Sequence, residues 1–85
     1  MAPVVSNSIP FDRFLDAEGQ PCPLPLLKTR LQLKSMAPGE VLLVKASDAG
    51  SWRDIPRFVE TSPHRLLASQ EDGKLYSFWI EKGST

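Results

Sequence analysis

The sequence predicts an α/β two-layer sandwich with the element order β-α-β-α-β-β, in which a four-stranded mixed sheet carries two helices on one face. A helical segment at residues 26–37 precedes a nearly unbroken apolar run at 41–46, which is typical of a strand buried on both faces. A polar loop and a second helical segment follow. Two alternating segments joined by Glu71-Asp72-Gly73 then form a hairpin. Two helices on one face are the simplest packing for this order.

The first strand is predicted at residues 11–16, where the side chains alternate between the two faces of the sheet. After a turn-rich connection, the leucines of the first helix recur at helical spacing. Leu24, Leu27 and Leu31 therefore predict the apolar face of that helix, which Leu26 and Leu33 widen. Pro38-Gly39 ends the helix, because Pro cannot continue it and Gly accepts left-handed backbone angles.

The second helix is predicted to end near residue 61, but its start is open. Ser51 and Asp54 have the spacing of a capping box, although Asp is shorter than the usual Glu. Pro56 falls late for a helix that begins there, and a start nearer Asp54 relieves the conflict. Residues 64–70 and 74–82 are predicted as the last two strands, followed by a frayed end.

The length and composition predict one small domain at residues 11–83, preceded by a flexible tail at 1–10. Ten basic and ten acidic side chains give no net charge, so a general attraction to nucleic acid is absent. No stretch reaches the roughly 20 apolar residues of a membrane span, and the N-terminus does not resemble a secretory signal. We expect a soluble, cytoplasmic monomer without a cofactor.

Cys22 is the only cysteine, and it lies between prolines just before the first helix. We predict that Cys22 is the N-cap, that Pro23 is the first helical residue and that Pro25 lies in the first turn. A sulfur at the positive end of the helix dipole is favoured as thiolate, so its pKa is expected to fall below that of a free thiol. We also expect the Leu24 N–H to stabilise it. The alternative is a small buried hydrophobic residue, as free cysteines often are.

A single thiolate limits the chemistry that the chain can perform. Without a second cysteine there is no internal disulfide and no dithiol cycle, and one cysteine with His64 is too few for a metal site. A Cys-His hydrolase is disfavoured, because so small a chain offers few groups for an oxyanion site. Sulfur transfer needs one accessible thiolate, since the partner supplies the other sulfur.

Candidate partner contacts lie on both predicted helices. The only charged residues between Cys22 and Glu40 are three cations, which could attract acidic partners: Lys28, Arg30 and Lys34. Trp52 and Arg53 are further candidates near the start of the second helix, where the alternative is ordinary packing for the indole and a solvated face for the cation.

Several segments resemble the TusA/SirA-type sulfur-carrier family. They are Leu15-Asp16-Ala17-Glu18-Gly19, Cys22-Pro23-Leu24-Pro25, Pro38-Gly39-Glu40 and the run from Asp48 to Pro56, followed by His64 and the final strand. The resemblance covers about residues 13–83. Gln20 stands where an aliphatic residue is usual, and Val59 stands where many members carry a second cysteine.

The resemblance implies the fold predicted above and a sulfurtransferase function. A cysteine desulfurase would donate persulfide sulfur to Cys22, and an acceptor protein would remove it for tRNA thiolation, molybdenum-cofactor maturation or sulfur oxidation. By match to the family motifs, the site-shaping residues would be Gly19, Pro23, Pro25, Asp48, Asp54 and Pro56. "Enzyme" fits such a carrier only loosely, because the protein is itself a transient substrate.

Two other functions remain open at this point. The same fold could serve as a regulatory or protein-interaction module that does not carry sulfur. Direct binding of RNA or DNA through the basic helix is disfavoured by the zero net charge and the few aromatic residues.

Overall fold

The structure is a computed structural model that describes residues 9–21 and 23–84 of the 85-residue chain. Residues 1–8, which belong to the predicted tail, lie outside this range. Cys22 also lies outside it. The described elements are β1 (Arg13–Ala17), α1 (Leu24–Lys34), β2 (Val41–Ala46), α2 (Ala49–Glu60), β3 (Arg65–Asp72) and β4 (Leu75–Glu81). The predicted element order and fold class are confirmed.

The four strands form one mixed sheet in the order β1-β2-β4-β3. β1 runs parallel to β2, and both remaining pairs are antiparallel. β1 starts two residues later than predicted, whereas β2 has the predicted bounds. α1 packs over β1 and β2 while α2 packs over β4 and β3, so the two helices share one face of the sheet. Within the described ranges, neither helix has the length and apolar character needed to cross a bilayer.

The core lies between this face and the helices. Leu42 and Val44 of β2 pair with Ile80 and Phe78 of β4, and all four side chains are fully buried. Leu43 and its partner Trp79 point to the opposite face and are also buried. β2 is therefore buried on both faces, as its apolar run predicts. The indole of Trp79, 3% exposed, is a packing group.

α1 begins and ends at different residues from those predicted. Pro23 occupies the N-cap position with φ −102° and ψ 20°, so the predictions that Cys22 is the N-cap and that Pro23 is the first helical residue are wrong. At the other end the helix stops at Lys34, where the N–H and hydroxyl of Ser35 turn back onto the Gln32 carbonyl. Pro38-Gly39 belongs to a separate turn, in which Gly39 adopts a φ of 92°.

The predicted apolar face of α1 is wrong for three of its five leucines, but it is correct for Leu33, which is fully buried, and for Leu26, which packs partly buried against the core. Leu24, Leu27 and Leu31 are 41%, 44% and 66% exposed. The residues that α1 buries are Pro25, Thr29 and Leu33. Thr29 is tolerated there because its hydroxyl donates to the Pro25 carbonyl at 2.7 Å, which leaves no unpaired polar group.

α2 follows a different capping scheme from the predicted one. Asp48 is the N-cap, and its Oδ2 accepts a hydrogen bond from the Gly50 N–H at 2.9 Å. Ser51 is buried inside the helix, so the capping box at Ser51 is wrong. Pro56 lies in the helix interior, where it removes one backbone hydrogen bond. Burial of the helix face, which includes Ile55, offsets that loss.

The C-terminal end is held in place rather than frayed at Gly83. The Gly83 N–H donates to His64 Nδ1 at 2.9 Å. A side chain at Gly83 would overlap the Pro63 carbonyl, so only glycine fits this close approach. The preceding hairpin turns at Gly73-Lys74, and Gly73 has a φ of 65°.

Candidate functional site

Two loops meet at the edge of the sheet where the parallel strands β1 and β2 end. The carboxyl ends of adjacent parallel strands share one edge, so the loops that follow them lie side by side. The Gly19 N–H donates to Ser47 Oγ at 2.7 Å and ties the two loops together. Gly19, Gln20 and Pro21 line a shallow groove with Ser47 and Asp48. The fold thus brings Asp48, the first residue of the family segment Asp48–Pro56, next to the loop that precedes Cys22.

The first of these loops turns sharply at Gly19. The Ala17 carbonyl accepts from the Gln20 N–H at 3.3 Å, and Gly19 has a φ of 80°. A residue with a side chain would be strained in this left-handed conformation. Asp16 supports the turn because its Oδ1 accepts from the Glu18 N–H at 3.0 Å. Glycine is required here by the turn itself.

Cys22 lies outside the described residues, and contacts of the residues on either side of it constrain the chain there. Pro21 and Pro23 are both exposed. The Leu24 N–H donates to the Pro21 carbonyl at 2.9 Å, which corrects the expectation that this N–H stabilises the sulfur. Pro25, in the first turn of α1, is buried on the inner face of the helix and fixes that turn against the core. The chain is therefore constrained on both sides of the cysteine.

The electrostatics of this edge favour an anion. α1 and α2 both begin here, and the positive ends of their dipoles lie at the same edge of the sheet. Neither helix has an acidic residue in its first turn. Asp48 neutralises the start of α2, whereas α1 has no side-chain cap. An anion near the start of α1 is favoured mainly by the helix dipole, because Pro23 and Pro25 have no N–H and the Leu24 N–H is bonded to the Pro21 carbonyl.

Gln20 is the family departure that the structure places closest to these loops. Its Oε1 atom is buried and has no hydrogen-bond partner among the described residues. An aliphatic residue, which the family resemblance implies at this position, would leave no such acceptor. The substitution therefore adds an unpaired carbonyl oxygen beside the groove.

Asp54 and Pro56 lie further along α2, away from its start. Asp54 lines a separate groove between the helices with Leu26 and Phe58. Arg53 Nε lies 3.8 Å from Asp54 Oδ1, and the Arg53 side chain is largely exposed. An exposed pair of this length contributes little to stability.

Trp52 points inward more than predicted. Its ring centroid lies 5.5 Å from that of Tyr76 and 5.9 Å from that of Phe78, and the side chain is 37% exposed. The indole therefore packs on the core from the first turn of α2. Its role as a partner contact stays a prediction that rests on the exposed third of the residue.

The predicted cations of α1 are all exposed but lie in different surroundings. The Arg30 guanidinium lies 5.8 Å from the centroid of the Phe58 ring on α2. Arg30 and Lys34 together line a groove with Lys82, while Lys28 does not. Lys82 and Ser47 were not predicted as site residues, because no local pattern marks a partner from the last strand or from a loop.

His64 has a structural role at the end of this region. Its Nδ1 accepts from the Gly83 N–H, and its ring centroid lies 6.0 Å from that of Phe58. Burial, and then the positive charge of Lys82, lower the pKa of His64 below its ordinary value of 6.5. The neutral form that accepts this hydrogen bond is therefore favoured at pH 7.

The fold defines a small α/β domain in which the loops at Gly19 and Asp48 meet at one sheet edge, and comparison with known proteins identifies its family. The family model described as "Sulfurtransferase TusA" matches residues 13–82, and the chain belongs to this family. The predicted resemblance is confirmed.

Two individual proteins illustrate the relationship. The chain is 35% identical over 72 residues to the "Putative sulfur carrier protein YrkI" of Bacillus subtilis (strain 168), covering 85% of this chain and 96% of that protein. The crystal structure of a SirA-like protein from Desulfitobacterium hafniense superposes with a TM-score of 0.73 at 21% identity, covering 86% of this chain and all of that one. This second likeness concerns the fold alone.

Proposed function

We propose that this protein is a sulfur carrier, in which Cys22 accepts sulfur from the persulfide of a cysteine desulfurase and passes it to an acceptor protein. The observation that carries the proposal is the match to the TusA family over a span that contains the only cysteine of the chain. The name of the B. subtilis relative supports the same role. The convergence of two loops and two helix N-termini beside this segment is consistent with a reactive thiolate.

The transfer consists of two exchange steps without net oxidation. The Cys22 thiolate attacks the outer sulfur of the donor persulfide R–S–SH; the new S–S bond forms as the old one breaks, and R–S⁻ leaves. Cys22 then carries –S–SH. A thiolate of the acceptor attacks that outer sulfur in the same way, takes the –SH group and releases Cys22 as thiolate. The carrier returns unchanged, as a sulfurtransferase must.

The surrounding residues act on position and charge. Gly19 and Ser47 hold the two loops together through their hydrogen bond. The start of α1 has no side-chain cap and no acidic residue among the described residues. It therefore favours a negative charge on the sulfur, both as the Cys22 thiolate and as the persulfide anion. Pro23 and Pro25 restrict the backbone that follows the cysteine.

The proposal extends to a setting and to candidate pathways. A free cysteine that must stay reduced belongs in the cytoplasm, where disulfides are rare. The acceptor would act in tRNA thiolation, molybdenum-cofactor maturation or a related pathway of sulfur traffic. A regulatory module that docks partners without carrying sulfur is the alternative, and the exposed leucines of α1 are the observation that favours it.

Mass spectrometry tests the proposal. The reduced protein is incubated with L-cysteine and a cysteine desulfurase, and the intact mass is expected to rise by about 32 Da for one sulfur atom. The adduct should map to the peptide that contains Cys22 and should disappear with dithiothreitol. A protein that remains folded but unmodified with several desulfurases would exclude the carrier role and favour the interaction module.

Two controls make the result specific. Cys22→Ser should give no adduct. Sulfinic acid adds two oxygens and nearly the same mass, but it is not reversed by dithiothreitol, so reduction separates it from a persulfide.

A further inference from the structure

The exposed face of α1 carries an apolar groove that the fold does not use. This leucine groove is lined by Leu27, Arg30, Leu31 and Lys34. Scattered exposed leucines are common on protein surfaces. Here Leu27 and Leu31 lie one turn apart in one groove, and Leu24 is one turn closer to the start of the helix. Such a strip is typical of an interaction surface.

A second groove shares two cations with the first. This basic groove is lined by Arg30, Lys34, His64 and Lys82, together with the Phe58 ring. In the part of the chain that the structure describes, no carboxylate lines either groove. Among the described residues the ion pair found within 4.0 Å joins Arg53 and Asp54, so the cations of the basic groove have no carboxylate partner there.

Lys82 makes the basic groove more than a set of solvated surface cations. The residue is only 9% exposed, although it carries a charge. Lysines are almost never so buried unless they are paired. Its charge is felt by His64, whose pKa it lowers in addition to the effect of burial. An anionic group in the groove would compensate this charge.

We propose that the two grooves together dock an acidic amphipathic segment of a protein partner in sulfur transfer. A carboxylate of the partner would enter the basic groove, and a large apolar side chain beside it would enter the leucine groove. Arg30 and Lys34 contact both, because they line both grooves. This inference rests on the proposed carrier function, and it names the chemistry of the partner.

The position of the grooves suits that role. α1 begins two residues after Cys22 in the sequence, and the leucine groove starts on its first turns. A segment that lies along α1 would bring the rest of its protein toward the start of the helix. Docking there would raise the local concentration of the partner's sulfur near the cysteine.

The other possible occupants fit these observations less well. A second copy of the chain would bring the cations of one α1 against those of the other. Nucleic acid would use the cations but not the leucines, and the chain has no net positive charge. An anionic membrane offers both phosphate and acyl groups, but the chain has no net positive charge to attract it to such a surface.

Nuclear magnetic resonance of the full-length protein with a defined probe tests the proposal. The probe is a helical peptide of about 15 residues in which glutamates and leucines repeat at helical spacing. We expect its addition to shift the amide signals around Leu27, Arg30, Lys34 and Lys82. The affinity should fall about tenfold as salt rises from about 50 mM to about 300 mM, because the ion pairs are screened.

Matched variants separate the grooves from the general charge of the helix. Arg30→Glu and Lys34→Glu are each expected to weaken binding by about tenfold or more. Lys28→Glu reverses a charge on the same helix. Because Lys28 lines neither groove, binding should change by less than about twofold. For the apolar half, Leu31→Ser should weaken binding about fivefold, whereas Leu67→Ser, at an exposed leucine of β3, should not.

Several results would overturn the docking site. They are an effect of Lys28→Glu as large as that of Arg30→Glu, equal binding of a peptide with lysine in place of glutamate, or tighter binding to phosphatidylglycerol vesicles or single-stranded RNA. A concentration-dependent dimer that the peptide does not dissociate would assign the surface to self-association.

The failure of this inference is distinct from the failure of the carrier function. Loading of Cys22 from a small-molecule persulfide does not require docking, so it tests the carrier function in the unchanged protein without any partner. Absence of loading would reject the carrier function, whereas normal loading without peptide binding would reject only the docking site.

Discussion

The two helices cover the same face of the sheet with 11 and 12 residues, and both bury apolar side chains, but α1 also leaves a strip of leucines exposed. α2 turns Ile55 and Val59 into the core. α1 turns Leu24, Leu27 and Leu31 to solvent. α2 is also capped by a side chain, and α1 is not. α2 therefore contributes mainly to the stability of the core, whereas α1 also presents an exposed apolar surface.

This difference shows where the sequence is constrained by folding and where it is not. An amphipathic helix is stabilised mainly by burial of its apolar face, and α2 follows that rule. The outer leucines of α1 contribute little to the folded core. Their presence, beside cations that have no carboxylate partner among the described residues, is better explained by a binding partner than by stability.

The largest expected effect separates the two faces of α1. Leu33 is fully buried, so Leu33→Ala should lower the free energy of unfolding by about 2–5 kcal/mol. Leu31→Ala, two residues away, should change it by less than about 0.5 kcal/mol, because the side chain is exposed. Urea unfolding followed by circular dichroism measures both. Similar losses for the two variants would mean that the helix is rotated relative to this description.

The capping of α2 gives the next effect. Asp48→Ala should lower the free energy of unfolding by about 1 kcal/mol, because the Gly50 N–H loses its acceptor. Asp48→Ser keeps an oxygen at the cap and should restore most of that loss. Thermal unfolding of the three proteins measures the difference. A serine variant as unstable as the alanine variant would show that the charge of Asp48, rather than the cap, is what matters.

A smaller effect is expected where the two loops are tied together. Ser47→Ala removes the acceptor of the Gly19 N–H and should cost about 0.5–1 kcal/mol. The sharper readout is amide hydrogen exchange, which should accelerate at Gly19. Ser35→Ala, whose hydroxyl bonds only within the end of α1, serves as the control and should leave Gly19 unchanged. Unchanged exchange in Ser47→Ala would mean that the loops are held by other contacts.

The smallest effect concerns pH and the end of α2. Because the folded pKa of His64 lies below 6.5, the unfolded chain binds a proton more readily. This contribution to stability is complete above the ordinary pKa and is lost as the pH falls through the window below it. His64→Asn keeps an acceptor for the Gly83 N–H but does not titrate. Between about pH 7.5 and about pH 5.5, the urea midpoint should therefore fall more in the unchanged protein. Equal slopes would assign the pH dependence to other groups.

Much of the fold could be predicted from local patterns. The apolar run at Val41–Ala46 marked β2 with its correct bounds, because a strand buried on both faces has little alternative pattern. The alternation of Tyr76, Phe78 and Ile80 likewise marked the buried face of β4. The family motifs were legible because they combine special backbone residues, such as Gly19, with a rare cysteine.

The errors arose where tertiary contacts decide between local options. Leucine spacing suggested that all five leucines of α1 share a buried face, but the packed helix buries Leu33 with Thr29 and leaves three of the leucines exposed. The spacing of Ser51 and Asp54 suggested a cap, but the helix begins earlier, at Ala49, and Asp48 caps it by accepting from the Gly50 N–H. Gly83 looked like a frayed end because its partner, His64, lies 19 residues earlier. No local pattern records such contacts.

The most direct test of the carrier function is the mass of the protein isolated from its native cells without reductant. A fraction of the molecules should carry about 32 Da on the peptide that contains Cys22, and dithiothreitol should remove it. An unmodified thiol under conditions of active sulfur transfer, or a 32 Da adduct that resists reduction, would contradict the account.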